Sequence, residues 1–254
     1  MGKDLEILCR PTIYGTPQSD NLRVSFRMDT GLTGGGSMKK EARVLLFQQV
    51  DIYPVTCERL SEGRSNLQVL EAVIQGGSKI IQLREKEYTK RDLYNLALKF
   101  RAITIRAGVL LIINDHVDIA LAVDADGVHL GQEDLPVQVA RKLAPNLLIG
   151  ASTHSLEQAR EAERNGADYI NIGPIFSTKT KEGTGGSLGP EAISEISPKI
   201  KIPFTVMGGI NEDNIEEVLA RGALRVAMVS AITKAQDIVA KIRSLKGKIQ
   251  EYRP

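Results

Sequence analysis

At Gln82-Leu83-Arg84-Glu85-Lys86 an apolar run gives way to an amide, a guanidinium and an ammonium at every second position. Side chains two apart in an extended chain share a face, so Gln82, Arg84 and Lys86 leave the run together. A guanidinium offers hydrogen bonds in a fixed fork and an ammonium a compact charge, a pairing that suits a diphosphate. Taken alone, the same cations read equally well as surface partners of Glu85 and Glu87. Asp115 and Asp134 also follow apolar runs. Two carboxylates converging on a diphosphate make a Mg²⁺ site, with water and phosphate oxygens completing the coordination. Asp115, within Ile113-Asn114-Asp115-His116-Val117-Asp118, also fits a helix cap. Lys86 and Asp134 tip the balance towards the metal.

Further phosphate-binding chemistry lies downstream. In Gly173-Pro174-Ile175-Phe176-Ser177-Thr178-Lys179-Thr180-Lys181-Glu182-Gly183-Thr184-Gly185-Gly186, hydroxyls at Thr178 and Thr180 stand beside Lys181 and can surround a phosphoryl group. From Glu182 onward the composition fits a solvent loop equally well. Gly208-Gly209 and Val229-Ser230 each sit between an apolar run and a new helix, where backbone N–H groups bind anions. Of the histidines, His129 lies inside Gly127-Val128-His129-Leu130 and His154 follows Gly150-Ala151-Ser152-Thr153. Neither belongs to a zinc-type spacing, and a loop-holding role is favoured over acid–base work for both.

The elements that must position these groups show in the apolar pattern. Short runs rich in β-branched residues occur at Ile52-Thr56, Lys79-Leu83, Gly108-Ile113, Gly127-Leu130, Leu147-Ala151, Tyr169-Ile172, Phe204-Met207 and Val226-Val229. Amphipathic stretches separate them, as in Lys90 to Arg106, where Leu93, Leu96, Ala97, Phe100 and Ile103 recur at helical spacing. Glycines at Gly76-Gly77, Gly108, Gly166 and Gly222 end helical patterns just before strands, as C-caps do. Eight such units predict an α/β fold of the (β/α)₈ TIM-barrel type, in which the carboxyl ends of the strands face the active site. A doubly wound sheet would need a reversal of strand order that the pattern does not indicate.

Composition narrows the function. The 254 residues hold 33 basic and 31 acidic side chains with no basic stripe, which argues against nucleic acid as a partner. No apolar run reaches membrane-spanning length and no signal segment opens the chain, so a cytoplasmic protein is expected. A homo-oligomer is compatible with the pattern. Residues 1–37 lack a sustained period and end in Gly31-Leu32-Thr33-Gly34-Gly35-Gly36-Ser37, which predicts a poorly structured extension or leader ahead of a single catalytic domain over 38–254.

In their joint order these segments resemble the thiamine phosphate synthase family. The motifs are QLREK (Gln82 to Lys86), IND (Ile113 to Asp115), GVHLGQED (Gly127 to Asp134), GASTH (Gly150 to His154), DYINIGPIFSTKTK (Asp168 to Lys181), GGI (Gly208 to Ile210) and VSAI (Val229 to Ile232). The resemblance implies that the segment Gln82, Leu83, Arg84, Glu85 and Lys86, with Asn114 and Ser152, binds a pyrimidine diphosphate, and that Asp115 and Asp134 hold Mg²⁺. It further implies that Thr178, Lys179, Thr180, Gly208, Gly209, Val229 and Ser230 bind a thiazole phosphate. Arg84, Lys86, Lys181 and Ser152 would be the catalytic groups, with Lys181 reaching the departing diphosphate. Ser177 and His116 stand where the family often has proline and arginine, and neither change removes a ligand group. A thiazole tautomerase or a phosphate sensor on the same barrel would not need the diphosphate and metal set. Deleting residues 1–37 is expected to leave the thermal melt unchanged, because the barrel pattern begins after them; a melt lowered by several degrees would show an integrated arm.

Overall fold

The computed structural model describes residues 38–178 and 186–253; the expected leader at 1–37, and with it Lys179, Thr180 and Lys181, lies outside the described residues. Eight parallel strands succeed one another as β1 (Ile52–Pro54), β2 (Ile80–Leu83), β3 (Leu110–Asn114), β4 (Gly127–Leu130), β5 (Leu148–Thr153), β6 (Tyr169–Ile172), β7 (Phe204–Val206) and β8 (Val226–Met228). Each pairs with its chain neighbours from β2 round to β8, and β8 pairs with β1. A parallel bridge between Val55 and Gln82, with Thr56 N–H donating to Gln82 C=O at 2.9 Å, completes the ring. The fold is a (β/α)₈ barrel, and the strands fall within two residues of the expected bounds.

Helices α1 (Lys40–Gln48), α2 (Asn66–Gln75), α3 (Lys90–Ala107), α4 (Val117–Ala122), α5 (Val137–Leu143), α6 (Leu156–Arg164), α7 (Glu191–Ile196), α8 (Ile215–Leu219), α9 (Ser230–Thr233) and α10 (Ile238–Glu251) account for the intervening segments. Their limits are set locally. Ser65 and Gln68 form a capping box at the start of α2. Thr89 Oγ1 accepts from Asp92 N–H at the start of α3, and Gly108 closes that helix with φ 65°. Gly77, Gly166 and Gly222 likewise have positive φ before their strands. No helix among the described residues is long and apolar enough to cross a membrane.

Apolar side chains form two shells. Outward-facing strand residues such as Ile81, Leu83, Ile113, Ile149 and Ile170 pack against the helices, for example against Leu93, Ala97 and Phe100 of α3. Inward-facing residues Tyr53, Ile80, Leu110, Ile112, Leu148 and Tyr169 fill the barrel with Phe47 and Val50. Along the inward rows, Ile80 is followed by Gln82, Ile112 by Asn114, and Tyr169 by Asn171. The interior thus turns polar at the carboxyl ends of the strands.

The expected short helix at Met38 to Arg43 continues through Gln48, because Arg43 and Phe47, one turn apart, share a buried face. Phe47 stacks on Tyr169 with ring centroids 4.3 Å apart, and α1 closes the amino-terminal end of the barrel. Arg43 is fully buried, donates to Asn146 C=O at 2.8 Å and lies 3.4 Å from Asp126. Asp126 is also held by Arg101 at 2.9 Å and by Leu111 N–H. Lys40, at the rim, pairs with Asp168 at 2.8 Å. Breaking a buried pair costs more than breaking an exposed one, so Arg43→Ala should lose about 3 kcal/mol and Lys40→Ala under about 1 kcal/mol in urea titrations. Equal losses would show that α1 is not anchored through Arg43.

Candidate active site

A cavity of about 360 Å³ opens at the carboxyl ends of the strands, and every strand or the loop after it contributes to the wall. Because only alternate residues face inward, Gln82, Arg84 and Lys86 reach the cavity together from β2. Leu83 and Glu85, expected in the same binding segment, do not. Leu83 is buried among the outer apolar shell, and Glu85 turns to accept from Glu58 N–H at 2.9 Å. Burial pushes the Glu85 carboxyl above its ordinary value. Arg84 is fixed at its backbone, where its N–H donates to Thr56 Oγ1 at 2.9 Å, while its guanidinium has no partner among the described residues.

Asn114 and Asp115 follow from β3, and Asp134 from the loop after β4. Asp115 does not cap α4; His116 occupies that position, and Asp115 itself holds a left-handed φ of 63°. There it accepts from Lys86 Nζ and lies beside Asp134. Asp134 is held by Gly131 N–H, which donates to it at 2.6 Å. Partial burial, then the neighbouring Asp115 carboxylate, raise the pKa of Asp134. Two crowded carboxylates beside a cation suit a divalent ion that takes its other ligands from substrate and water. No cluster of three or more acidic, histidine or cysteine ligands exists among the described residues.

Across the ring, Gly208 and Gly209 adopt φ of 106° and 64°. A side chain at either would collide with the loop after β6, at Pro174 and at the Ser177 carbonyl respectively. That close approach is tied by Ile175 N–H and Phe176 N–H, which donate to Met207 C=O and Gly208 C=O at 2.9 Å each. Val229 and Ser230 open α9 beside them, and Thr178 lines the same wall. His154 Nδ1 contacts the Gly173 carbonyl, so this histidine holds the loop after β6, as expected. His129, in contrast, is buried, with Nε2 3.0 Å from Ser152 Oγ.

A sequence model described as thiamine monophosphate synthase matches residues 52–232. The chain belongs to this family. Thiamine-phosphate synthase of Pelotomaculum thermopropionicum is 50% identical over 200 residues, spanning 78% of this chain and 92% of the relative. That of Chloroflexus aurantiacus is 47% identical over 196 residues, spanning 77% and 91%. A solved thiamine phosphate pyrophosphorylase from Pyrococcus furiosus superposes with a TM-score of 0.74 at 38% identity, covering 81% of this chain and 98% of that one. A 3-hexulose-6-phosphate synthase at 18% identity and a TM-score of 0.59 shares the fold alone.

Of the residues that the family motifs single out, the structure gathers Gln82, Arg84, Lys86, Asn114, Asp115, Asp134, Ser152, Thr178, Gly208, Gly209, Val229 and Ser230 around one cavity. Sequence reasoning missed Asn171, Asn211 and Lys234. Asn171 had a signal, being the polar residue on the inward row of Tyr-Ile-Asn-Ile; Thr205 Oγ1 donates to its Oδ1 at 2.9 Å. Lys234 sits one turn beyond Ser230, a spacing that acquires meaning only through α9.

Because the folded state holds the Asp134 proton to higher pH than the unfolded chain does, metal-free protein should lose stability as pH rises from about 4 through the raised value. Asp134→Asn should flatten that decline and melt higher than wild type at neutral pH without metal, and, if the pair holds Mg²⁺, its melt should respond less than that of wild type to the added ion. Melts across pH with and without Mg²⁺ check this. A variant that melts lower in metal-free buffer would show that the carboxylate is structural.

Proposed function

We propose that the chain is a thiamine phosphate synthase, a transferase that joins an aminopyrimidine methyl diphosphate to a thiazole ethyl phosphate, or to its carboxylated form, and releases diphosphate. One observation carries the reading: a single cavity holds a cation and carboxylate set after β2, β3 and β4, and a separate glycine and hydroxyl cradle after β7 and β8. In the order of the ring β3 faces β7 and β4 faces β8. Two phosphorylated substrates therefore fit with their phosphates apart and their rings between. A site for one phosphate would need only the second half.

Gln82, Asn114 and Ser152 would orient the pyrimidine, with Arg84 and Lys86 on its diphosphate. Asp115 and Asp134 would hold Mg²⁺, which when bound would neutralise charge on the diphosphate. As the bond from methylene carbon to diphosphate oxygen breaks, its electron pair leaves with the diphosphate, and Arg84, Lys86 and Lys181 would stabilise the growing negative charge. The electron-rich aminopyrimidine stabilises the cationic methylene until the thiazole nitrogen lone pair forms the new carbon–nitrogen bond. Glycine backbone amides, Ser230 and Thr178 would hold the thiazole phosphate, so that the nitrogen is already aligned. No protein nucleophile enters this scheme. A cytoplasmic location accords with two phosphorylated small-molecule substrates.

Incubation with both substrates and Mg²⁺ should give coupled product and diphosphate in equal amounts; formation of neither would overturn the reading. Ser230→Ala should raise KM for the thiazole phosphate, since losing one hydrogen bond to a charged group costs about 1.5 to 3 kcal/mol, roughly ten- to hundredfold. Lys181→Ala should instead lower the rate of the chemical step at saturation. A reversed pattern would exchange the two phosphate positions.

A further inference from the structure

Five side chains form one hydrogen-bonded row across the barrel beneath the cavity. Gln82 Nε2 donates to Tyr53 Oη at 3.0 Å, the Tyr53 and Tyr169 hydroxyls lie 2.9 Å apart, and Tyr169 Oη is 3.2 Å from His129 Nδ1. His129 Nε2 then meets Ser152 Oγ at 3.0 Å. Tyr53 and Tyr169 are fully buried, and burial pushes both phenols above their ordinary value, so both carry their protons. The row is built to close tolerance. Phe47 stacks on the Tyr169 ring, and a side chain on Gly150 would overlap both that ring and His129 Nδ1.

Donor counting gives the row a direction. Tyr53 accepts from Gln82, and among the described residues the only acceptor left for its own proton is Tyr169 Oη. Tyr169 must then donate to His129 Nδ1. A histidine that accepts at Nδ1 carries its proton at Nε2 and donates it to Ser152 Oγ, which frees the serine proton for the cavity that Ser152 lines. An Nδ1 proton, in either the other tautomer or the imidazolium, would leave one of the two buried tyrosine hydroxyls with no acceptor. We propose that His129 is a positioning residue, held by the tyrosine row as the Nε2–H tautomer, and that this makes Ser152 a hydroxyl donor towards the pyrimidine diphosphate. The proposal rests on the synthase reading for its substrate, but its tautomer is read without turnover.

The chain has three histidines, so ¹⁵N-histidine spectra of the full-length protein, assigned by the resonance lost in His129→Asn, report which nitrogen bears the proton. Wild type and Tyr53→Phe should both show Nε2–H at His129, because Tyr169 still donates to Nδ1 in that variant. Tyr169→Phe should give mixed tautomers and lower kcat roughly tenfold, the worth of one hydrogen bond, leaving the KM for thiazole phosphate unchanged. In a Ser152→Ala background, Tyr169→Phe should cost nothing further. An Nδ1 proton in wild type, which a reversed Gln82 amide would produce, overturns the proposal. So does an undiminished tenfold loss without Ser152, since packing alone would then explain it. Absent turnover in wild type with His129 protonated at Nε2 would sink the synthase reading and leave the row standing.

Discussion

The inside of an eight-stranded ring must be filled by side chains from alternate positions, and here the filling includes two tyrosines, Tyr53 and Tyr169. Their rings complete an apolar layer with Phe47, Ile80 and Leu148, but each brings a hydroxyl that cannot be left unpaired at zero or one per cent exposure. The hydroxyls answer each other and hand their remaining needs upward, to Gln82 on one side and His129 on the other. Much of the floor of the cavity follows from that need. Gly150 carries no side chain because the Tyr169 ring and His129 occupy its space. Helix α1 seals the opposite end, where Phe47 packs on the same ring.

Charge is distributed by a similar logic of opposite ends. At the amino-terminal end, the cations Arg43, Arg101 and Arg141 meet Asp126 and Asp168, and the pairs neutralise one another within the fold. At the carboxyl end the balance is left incomplete. Arg84 has no partner among the described residues, and Asp134 is crowded by Asp115. A polyanion with a divalent ion would supply the charge that this end lacks. The same cavity wall is held where the glycines after β7 interlock with the loop after β6, so the glycine cradle is preformed.

Much of this was legible along the chain. Strand periods and helix caps identified eight βα units, since burial on both faces of a parallel strand demands continuous apolar runs and each helix needs its own start and stop residues. Period-two spacing suffices to place Gln82, Arg84 and Lys86 on one face, and the same rule, applied strictly, turns Leu83 and Glu85 away. The ordered motifs sufficed for the family. Asp115 illustrates the boundary: as a residue type it fitted a cap or a metal ligand, and a backbone turn with φ of 63° takes it out of the cap and aims it at Lys86.

What the sequence by itself determined, then, was the set of elements, their order and the polar groups at their carboxyl ends, because each depends on neighbours within a few positions. The tertiary structure alone decided which distant groups touch. Tyr53 and Tyr169 are 116 positions apart, His129 and Ser152 are 23, and Arg43 finds Asn146 across 103. The first two contacts arise from the ring, which brings residues at one height on different strands together whatever their separation in the chain, and the third from the packing of α1 at its amino-terminal end. Local periodicity carries the direction in which a side chain points, but not which strand stands across the barrel from it.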